Sequence, residues 1–213
     1  SLLLSLLIGL SFGTYQPTSA QTAEPMRDSA TVIMYHRFGE GRYPSTNISM
    51  EQFEEHLALL TNGDYTIMPL PEIIEKLRSG QLVPDRTVGI SIDDAYLSVY
   101  ENAWPLMRAA DLPFTIFVAT RPVDRKLAGY MNWDQLRELK TAGVTIGSQT
   151  HTHPHMHRLS AKRVREEIET SNQIFLEQLG ELPGLFAYPY GEYSRFVIDA
   201  VKEANFTAAF GQN

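Results

Sequence analysis

The stretch that decides the fold is Val88-Gly89-Ile90-Ser91-Ile92-Asp93-Asp94-Ala95. Its first five residues form a short apolar run, the pattern of a buried strand in a parallel sheet. Two adjacent acids follow at the carboxyl end of that run. The carboxyl ends of strands carry the functional site in α/β barrels and open sheets alike, so this stretch predicts both a fold class and a place for chemistry.

The same alternation extends in both directions from this strand. Further strand-like runs cover residues 30–35, 65–69, 114–118, 144–146, 185–187 and 207–210. Helix-like amphipathic stretches separate them, at residues 50–62, 70–78, 97–110, 132–142, 160–179 and 196–204. Strand and helix alternate throughout, which predicts a parallel α/β architecture.

Composition sets the broad class. The chain has 213 residues, of which 43% are hydrophobic and 20% charged, enough for one domain with a substantial core. The net charge of −7 argues against nucleic acid as a partner, because nucleic-acid binding needs a basic face. There is no cysteine, so disulfides are excluded.

The N-terminal residues differ from the rest. Ser1 to Phe12 is almost wholly apolar, and a small-x-small sequence ends at Ala20, as in a secretory signal. The apolar part is too short to span a bilayer comfortably. We expect a signal peptide that lacks its true beginning, a flexible lead and one domain, at residues 1–20, 21–29 and 30–213. The expected location is the periplasm or the exterior, with no stable membrane span after cleavage; an uncleaved lipid anchor is the alternative.

Four of the six histidines fall within seven residues: His151, His153, His155 and His157. Imidazole and carboxylate are ligands that a divalent metal such as zinc accepts. One acid of the pair could bind the metal while the other moves protons, so the two segments together predict metal-assisted hydrolysis. His153 and His157 share one face if their segment is helical.

Each motif also has a structural interpretation. Neighbours in a strand point to opposite faces, so Asp93 and Asp94 reach one site only if the chain bends; otherwise Asp94 caps a helix and Asp93 is solvated. The segment Tyr188-Pro189-Tyr190-Gly191 is either an ordinary turn or the place where the Tyr190 backbone N–H acts as an oxyanion donor. His36 could orient a carboxylate or pack in the core. Trp133 is a pocket candidate for which core packing is slightly favoured.

These segments resemble the polysaccharide deacetylase family, also called carbohydrate esterase family four, from about Thr31 to the chain end. The family's Thr/Ser-Phe-Asp-Asp-Gly motif falls on residues 91–95, which implies Asp93 as general base and Asp94 as metal ligand. Its His-Ser/Thr-x-x-His-Pro motif falls on residues 149–154 and implies His153 as a ligand. Its Arg-x-Pro-Tyr motif falls on residues 187–190 and implies the oxyanion role for Tyr190.

The resemblance implies a distorted, incomplete (β/α) barrel and a divalent metal. The metal would be zinc, with cobalt, nickel or manganese as alternatives. The implied substrate is an acetylated glycan; an activated water would attack an acetyl group on an amino sugar, which we favour, or on an esterified sugar. Pocket positions beside the reacting groups are His36, Gln149, Trp133 and Pro189. The oligomeric state is not indicated.

Two residues depart from the family pattern. Gln149 stands where the first metal-binding His is expected, and Ala187 replaces the Arg that orients the base. Three outcomes are open for the metal: His157 replaces the missing ligand, which we favour; His151 or His155 does so through a shifted loop; or the site binds weakly and is inactive. The chain also stops before the family's last motif, which supplies an acid; either the sequence is truncated at its C-terminus or the acid comes from elsewhere.

We therefore expect an exported metal-dependent polysaccharide deacetylase, a hydrolase of non-peptide carbon–nitrogen bonds. The main alternative is a non-catalytic glycan-binding module on the same fold, favoured by Gln149 and Ala187. An amidase that acts on a small substrate is a third hypothesis.

Overall fold

The computed structural model describes residues 25–212 of the chain. The predicted signal peptide and the first part of the predicted lead lie outside the described residues. Among the helices between residues 25 and 212, none combines the length and the apolar character that crossing a bilayer requires.

Eleven short strands occur in the described part of the chain. They are β1 (Met26–Arg27), β2 (Thr31–Tyr35), β3 (Arg37–Phe38), β4 (Asn47–Ile48), β5 (Thr66–Ile67), β6 (Val83–Pro84), β7 (Thr87–Asp93), β8 (Thr115–Val118), β9 (Thr145–Ser148), β10 (Leu185–Ala187) and β11 (Ala208–Phe210). Seven of them form one sheet in the order β11-β10-β9-β8-β7-β2, with β5 pairing to β7 as well. Every pairing in this sheet is parallel, which confirms the predicted architecture.

Seven α-helices connect the strands within residues 25–212. They are α1 (Met50–Asn62), α2 (Leu70–Arg78), α3 (Trp104–Ala109), α4 (Thr120–Asp124), α5 (Trp133–Thr141), α6 (Ala161–Leu179) and α7 (Arg195–Glu203). Ser49 and Asn132 begin α1 and α5 with a capping box, in which the side chain and backbone of residues three apart satisfy each other. The sequence therefore marks these two helix starts locally.

The sheet curls into a half-barrel, and its strands β7, β8 and β10 are buried on both faces. All seven residues of β7 are buried. On one face Ile90, Ile92 and Ile116 join the main core, which includes residues from α1, α3, α5 and α6. On the other face Phe117 and Leu185 form a smaller apolar cluster with residues of α2. This burial explains why the strands read as continuous apolar runs rather than alternating ones.

Three details differ from the sequence prediction. The stretch predicted as one helix from residue 97 is a π-helical turn, Val99–Ala103, followed by α3, and Pro105 lies at the first turn of α3. The helix α4 was not predicted. In the segment predicted as a flexible lead, β1 pairs with β6, so regular structure begins before Ala30.

Candidate active site

The backbone takes a left-handed conformation after three strands of the half-barrel, β7, β9 and β10. Asp94 follows β7 with φ +74°, His153 lies in the loop after β9 with φ +57°, and Tyr190 follows β10 with φ +61°. A left-handed backbone costs a residue other than glycine about 1–2 kcal/mol. Left-handed conformations of residues other than glycine cluster at functional sites. Their occurrence in all three motifs therefore favours a functional role for each motif.

These strand ends border one cavity of about 690 Å³. Residues from all three motifs and from the end of β2 line it: His36, Asp93, Asp94, Gln149, His153 and Tyr190. The expectation that distant stretches of sequence meet at one edge of the sheet is therefore met in the structure.

Both acids reach the cavity because the strand ends between them. Asp93 is the last residue of β7, and the left-handed backbone of Asp94 turns the chain there. In a continuing strand the two side chains would point to opposite faces. The bend removes that restriction, as one of the two interpretations of the sequence required.

Asp94 and His153 direct their polar atoms toward each other. Asp94 Oδ1 lies 3.4 Å from His153 Nε2, and both side chains are mostly buried. Burial lowers the pKa of the His153 imidazole, whereas the Asp94 carboxylate raises it. The same two causes act in the same order on the pKa of His36, which also lies close enough to His153 to be affected by its charge. A neutral imidazole is the form that binds a metal.

Asp93 is a buried carboxyl, only 7% exposed. Burial and then the adjacent Asp94 carboxylate raise its pKa to about 7, and a hydrogen bond from Gln149 acts in the opposite direction. A group whose pKa lies near the working pH can both accept and return a proton. Asp93 thus has the character of an acid–base group, while Asp94 faces the imidazole.

Gln149 contacts the acid pair directly. Its side chain is 2% exposed, and its Nε2 donates a hydrogen bond of 3.1 Å to Asp93 Oδ2. Its Oε1 is buried without a hydrogen-bond partner among residues 25–212. A buried acceptor without a partner costs free energy, so this oxygen is a place where a further group could bind.

The other three histidines of the cluster lie apart from Asp94. His151 Nδ1 is 2.9 Å from Thr120 Oγ1. His155 and His157 both place Nδ1 against one carboxylate oxygen of Glu192, at 2.6 and 3.2 Å. None of these three imidazoles lines the 690 Å³ cavity.

The premise that placed His157 beside His153 is wrong. The segment between them is not an α-helix: His153 has a left-handed backbone, and only Met156–Arg158 forms a single 3₁₀ turn. The two imidazoles therefore do not share a helical face. A metal-binding role for His157 stays a prediction; its Nε2 accepts a hydrogen bond of 3.2 Å from Arg158 Nε.

The Tyr190 ring packs between two of the histidines. It stacks on His155 with ring centres 4.0 Å apart and meets the edge of His153 at 4.6 Å. The ring is still 52% exposed, so one part of it faces solvent beside the cavity. These contacts hold the turn whose backbone N–H is the predicted oxyanion donor.

Two predicted pocket residues do not line the cavity. Trp133 packs in the main core, edge-on to Phe175 with ring centres 5.9 Å apart. Pro189 is buried in the 3₁₀ turn that carries Tyr190. Trp133 is the first residue of α5, and its side chain packs in the core. The orientation of α5 that places it there follows from packing and not from the sequence motif.

Sequence reasoning missed two tyrosines of the cavity wall. Tyr96 and Tyr130 both line the cavity, and their rings lie 5.0 Å apart. Burial and then the Asp94 carboxylate raise the pKa of Tyr96, which shares a hydrogen bond with that carboxylate. The position of Tyr96, two residues after the acid pair, was the available signal. Tyr130 joins through an isolated bridge to Tyr96, which only the fold reveals.

The protein is thus an α/β protein of the incomplete (β/α) barrel class, with an acid pair and imidazoles at the carboxyl edge of its sheet. The family model described as polysaccharide deacetylase matches residues 81–209, more than half of the chain, and the chain belongs to that family. The family that the sequence motifs predicted is thereby confirmed. Membership of this family agrees with the predicted enzyme class, a hydrolase of non-peptide carbon–nitrogen bonds.

Two curated relatives show the extent of the likeness. The chain is 25% identical over 209 residues to the poly-beta-1,6-N-acetyl-D-glucosamine N-deacetylase of Staphylococcus aureus (strain MRSA252), covering 86% of this chain and 72% of the relative. It is 23% identical over 175 residues to YxkH of Bacillus subtilis (strain 168), whose name assigns it to polysaccharide deacetylases. That alignment covers 82% of this chain and 61% of the relative, so the chain spans about three fifths of the YxkH length.

Solved structures confirm the fold. The Streptococcus pyogenes deacetylase PplD, determined in complex with acetate, superposes with a TM-score of 0.80 at 20% identity, covering 90% of this chain and 85% of PplD. IcaB from Ammonifex degensii superposes with a TM-score of 0.75 at 25% identity, covering 84% of this chain and 82% of IcaB. The predicted incomplete (β/α) barrel is therefore correct.

Proposed function

We propose that this protein is a metal-dependent deacetylase that hydrolyses acetyl groups, above all N-acetyl groups, of a polysaccharide or oligosaccharide. The observation that carries the proposal is that the two adjacent acids have different surroundings. Asp94 faces an imidazole, whereas Asp93 is a separate buried carboxyl with a pKa near 7, and both line one cavity. Hydrolysis by an activated water needs a cation site beside a proton acceptor of this kind.

Two donor atoms in the cavity have the spacing of ligands to one divalent cation, although no group of three or more His, Cys, Asp or Glu side chains between residues 25 and 212 is arranged to hold one. Two ligands about 2.1 Å from a tetrahedral ion lie about 3.4 Å apart, and Asp94 Oδ1 and His153 Nε2 have that separation. The His36 imidazole lines the same cavity as a further donor. Mixed carboxylate and imidazole donors suit zinc, and also cobalt, nickel or manganese. A cation bound there would act as a Lewis acid and lower the pKa of a water that it binds.

Two residues of the chain would supply the proton transfer and the stabilisation of the oxyanion. Asp93 would take the proton as water attacks the acetyl carbonyl, and its pKa near 7 lets it return a proton to the departing amine. The backbone N–H of Tyr190 would donate to the oxygen that gains negative charge. A donor of this type is worth roughly 3–4 kcal/mol in the transition state.

The cavity wall suits a sugar. Tyr190, Tyr96 and Tyr130 present aromatic surface beside the polar groups, the mixture that orients a ligand in a binding pocket. The Staphylococcus aureus relative is named for a polymer of β-1,6-linked N-acetyl-D-glucosamine. We therefore place a polymer of N-acetylated amino sugars first among the substrates.

The proposed place of action lies outside the cytoplasm. Support comes from the first twenty residues, which have the pattern of a secretory signal. Residues 21–29 would then link it to a deacetylase domain at residues 30–213, without a stable membrane span after cleavage.

A glycan-binding module without catalysis is the competing function. The residue that favours it is Gln149, because an amide oxygen is a poorer zinc ligand than the imidazole expected at this position. Such a module would bind the polymer but hold no cation at stoichiometric level. Metal analysis after EDTA treatment and reconstitution separates the two functions.

The first prediction concerns acetate release. The protein reconstituted with zinc, cobalt, nickel or manganese is expected to release acetate from β-1,6-linked N-acetylglucosamine oligomers. Asp93→Asn should lower kcat by at least about 100-fold, because general acid–base catalysis contributes about that much or more. Acetate is measured by a coupled assay under saturating substrate.

The matched control is Asp199→Asn, the same change at an exposed position on α7. It should keep full activity. His153→Ala should abolish stoichiometric metal binding. Absence of acetate release with all four metals, or full activity of Asp93→Asn, would refute the deacetylase proposal; retained glycan affinity without bound metal would establish the binding module instead.

A further inference from the structure

A single hydrogen bond links Gln149 to the proton acceptor of the proposed reaction. Gln149 Nε2 donates to Asp93 Oδ2 at 3.1 Å, and both side chains are more than nine-tenths buried. Other bonds fix the loop that follows Gln149, because Thr152 is held by Glu167 through both its N–H and its hydroxyl. The amide is therefore presented to Asp93 by a firmly attached segment.

The residue that could otherwise orient Asp93 is absent. Position 187, where the family pattern has an arginine, is an alanine that is 4% exposed and packs in the apolar cluster with Phe117 and Leu185. An alanine side chain offers no donor. A base that has lost its guanidinium partner needs another group to hold its carboxyl oxygen in line with the attacking water.

We infer that Gln149 is the positioning residue for Asp93, and that this role, rather than metal binding, is the function of a glutamine at this position. The inference rests on the proposed deacetylase function. Nε2 directs one carboxylate oxygen of Asp93, and leaves the other oxygen for the proton.

The geometry separates the two possible roles of the side chain. If Gln149 acts through Nε2, its loss affects the orientation of the base and leaves cation affinity nearly unchanged. If Gln149 acts through Oε1 as a metal ligand, its loss weakens cation binding first. Substrate affinity is not expected to change in the first case, because the amide contacts Asp93 and not the solvent side of the cavity.

The test uses Gln149→Met, which keeps the length and unbranched shape of the side chain without a donor. We expect kcat for acetate release to fall about 10- to 100-fold, as is usual when an outer partner of a catalytic group is removed. KM and the dissociation constant for Zn²⁺, measured by calorimetry on the metal-free protein, should stay within about twofold of wild type. Gln149→Leu serves as a second variant, so that poor folding of one, seen in its thermal unfolding, does not decide the result.

Gln173→Leu is the matched control. Gln173 also donates a side-chain amide hydrogen bond to a carboxylate, Glu177, at 2.9 Å, but on the exposed face of α6. It should leave kcat, KM and Zn²⁺ affinity unchanged.

The possible results separate this inference from the proposed function. Unchanged kcat in both folded Gln149 variants overturns the positioning role while the deacetylase proposal stands. A loss of Zn²⁺ affinity of tenfold or more in these variants also overturns it, in favour of a metal ligand. If wild-type protein releases no acetate with any metal, the proposed function fails, and the positioning role fails with it.

Discussion

At the scale of single residues, the site is built from side chains whose properties come from their immediate neighbours. Asp93 and Asp94 are adjacent in sequence, yet one is a buried carboxyl bonded to Gln149 and the other faces His153 and Tyr96. Residue type alone assigns the two the same chemistry. The different surroundings bury Asp93 beside an amide donor and place Asp94 against an imidazole.

The buried state of Asp93 makes stability depend on pH in a defined direction. Its pKa is about 7 in the folded chain, against an ordinary value of 3.8, because of burial and the Asp94 charge. Between these values the folded state keeps a proton that the unfolded state has released, so the free energy of unfolding falls as pH rises from about 4 to 7. The shift corresponds to a loss on the order of 4 kcal/mol.

Asp93→Asn should remove the fall in the free energy of unfolding that the Asp93 carboxyl causes between pH 4 and 7. In urea titrations of the metal-free protein, the variant is expected to gain stability relative to wild type as pH rises from 4 to 7. Asp199→Asn, on the surface, should show no such trend. A difference between Asp93→Asn and wild type that stays constant over this range would contradict the assignment.

At the scale of elements, the sequence predicts the seven strands of the parallel sheet and most helices because their signals are local, whereas the two-residue strands β1, β3, β4 and β6 were not predicted. Capping residues such as Ser49 and Asn132 and the apolar run before Asp93 mark their elements without reference to the rest of the chain. The histidine segment has no such local rule. Its shape is set by Glu167, which lies on α6 and accepts hydrogen bonds from the N–H and hydroxyl of Thr152 at 2.7 and 2.8 Å.

This contact predicts that α6 stabilises the histidine loop. Glu167 is 4% exposed, so Glu167→Ala leaves the half-buried N–H and hydroxyl of Thr152 without this acceptor. We expect a loss of about 2–4 kcal/mol in the free energy of unfolding, measured by urea denaturation, together with weaker Zn²⁺ binding through His153. Glu167→Gln, which keeps an acceptor oxygen, should lose less.

Glu169→Ala, two residues along on the exposed side of α6, is the control and should change stability by less than about 0.5 kcal/mol. If Glu167→Ala proved as stable as this control, Glu167 would not be what holds the loop.

At the scale of the whole molecule, the site depends on a sheet that curls tightly enough to bring three strand ends to one cavity. Little space is left on the inner face of the sheet, which is the face that packs against α2. A side chain at Gly147 in β9 would overlap the ring of Phe117 in β8, and one at Gly89 in β7 would meet Leu70 of α2. Small residues at these positions let α2 and the large side chains fill the half-barrel.

Gly147→Ala therefore tests the packing of the half-barrel. Overpacking of a close-packed interior usually costs about 1–3 kcal/mol, and we expect a loss of that size together with a lower Tm. Gly184→Ala is the control, because a Cβ there meets only Thr207 Oγ1, at an ordinary 3.7 Å. Equal effects of the two substitutions would show that the inner face is not tightly packed.

The sequence by itself determined the alternation of strand and helix, the parallel sheet and the positions of the acid pair, His153 and Tyr190, because periodicity and strand ends are local properties. It did not determine which histidines face Asp94, since a helical premise failed where the backbone turns left-handed at His153. The contact between Gln149 and Asp93 joins residues 56 positions apart, and the places of Tyr130 and Trp133 depend on how α5 and its preceding loop pack. Only tertiary structure decides such contacts, because they arise from the closure of the sheet and not from any residue's neighbours along the chain.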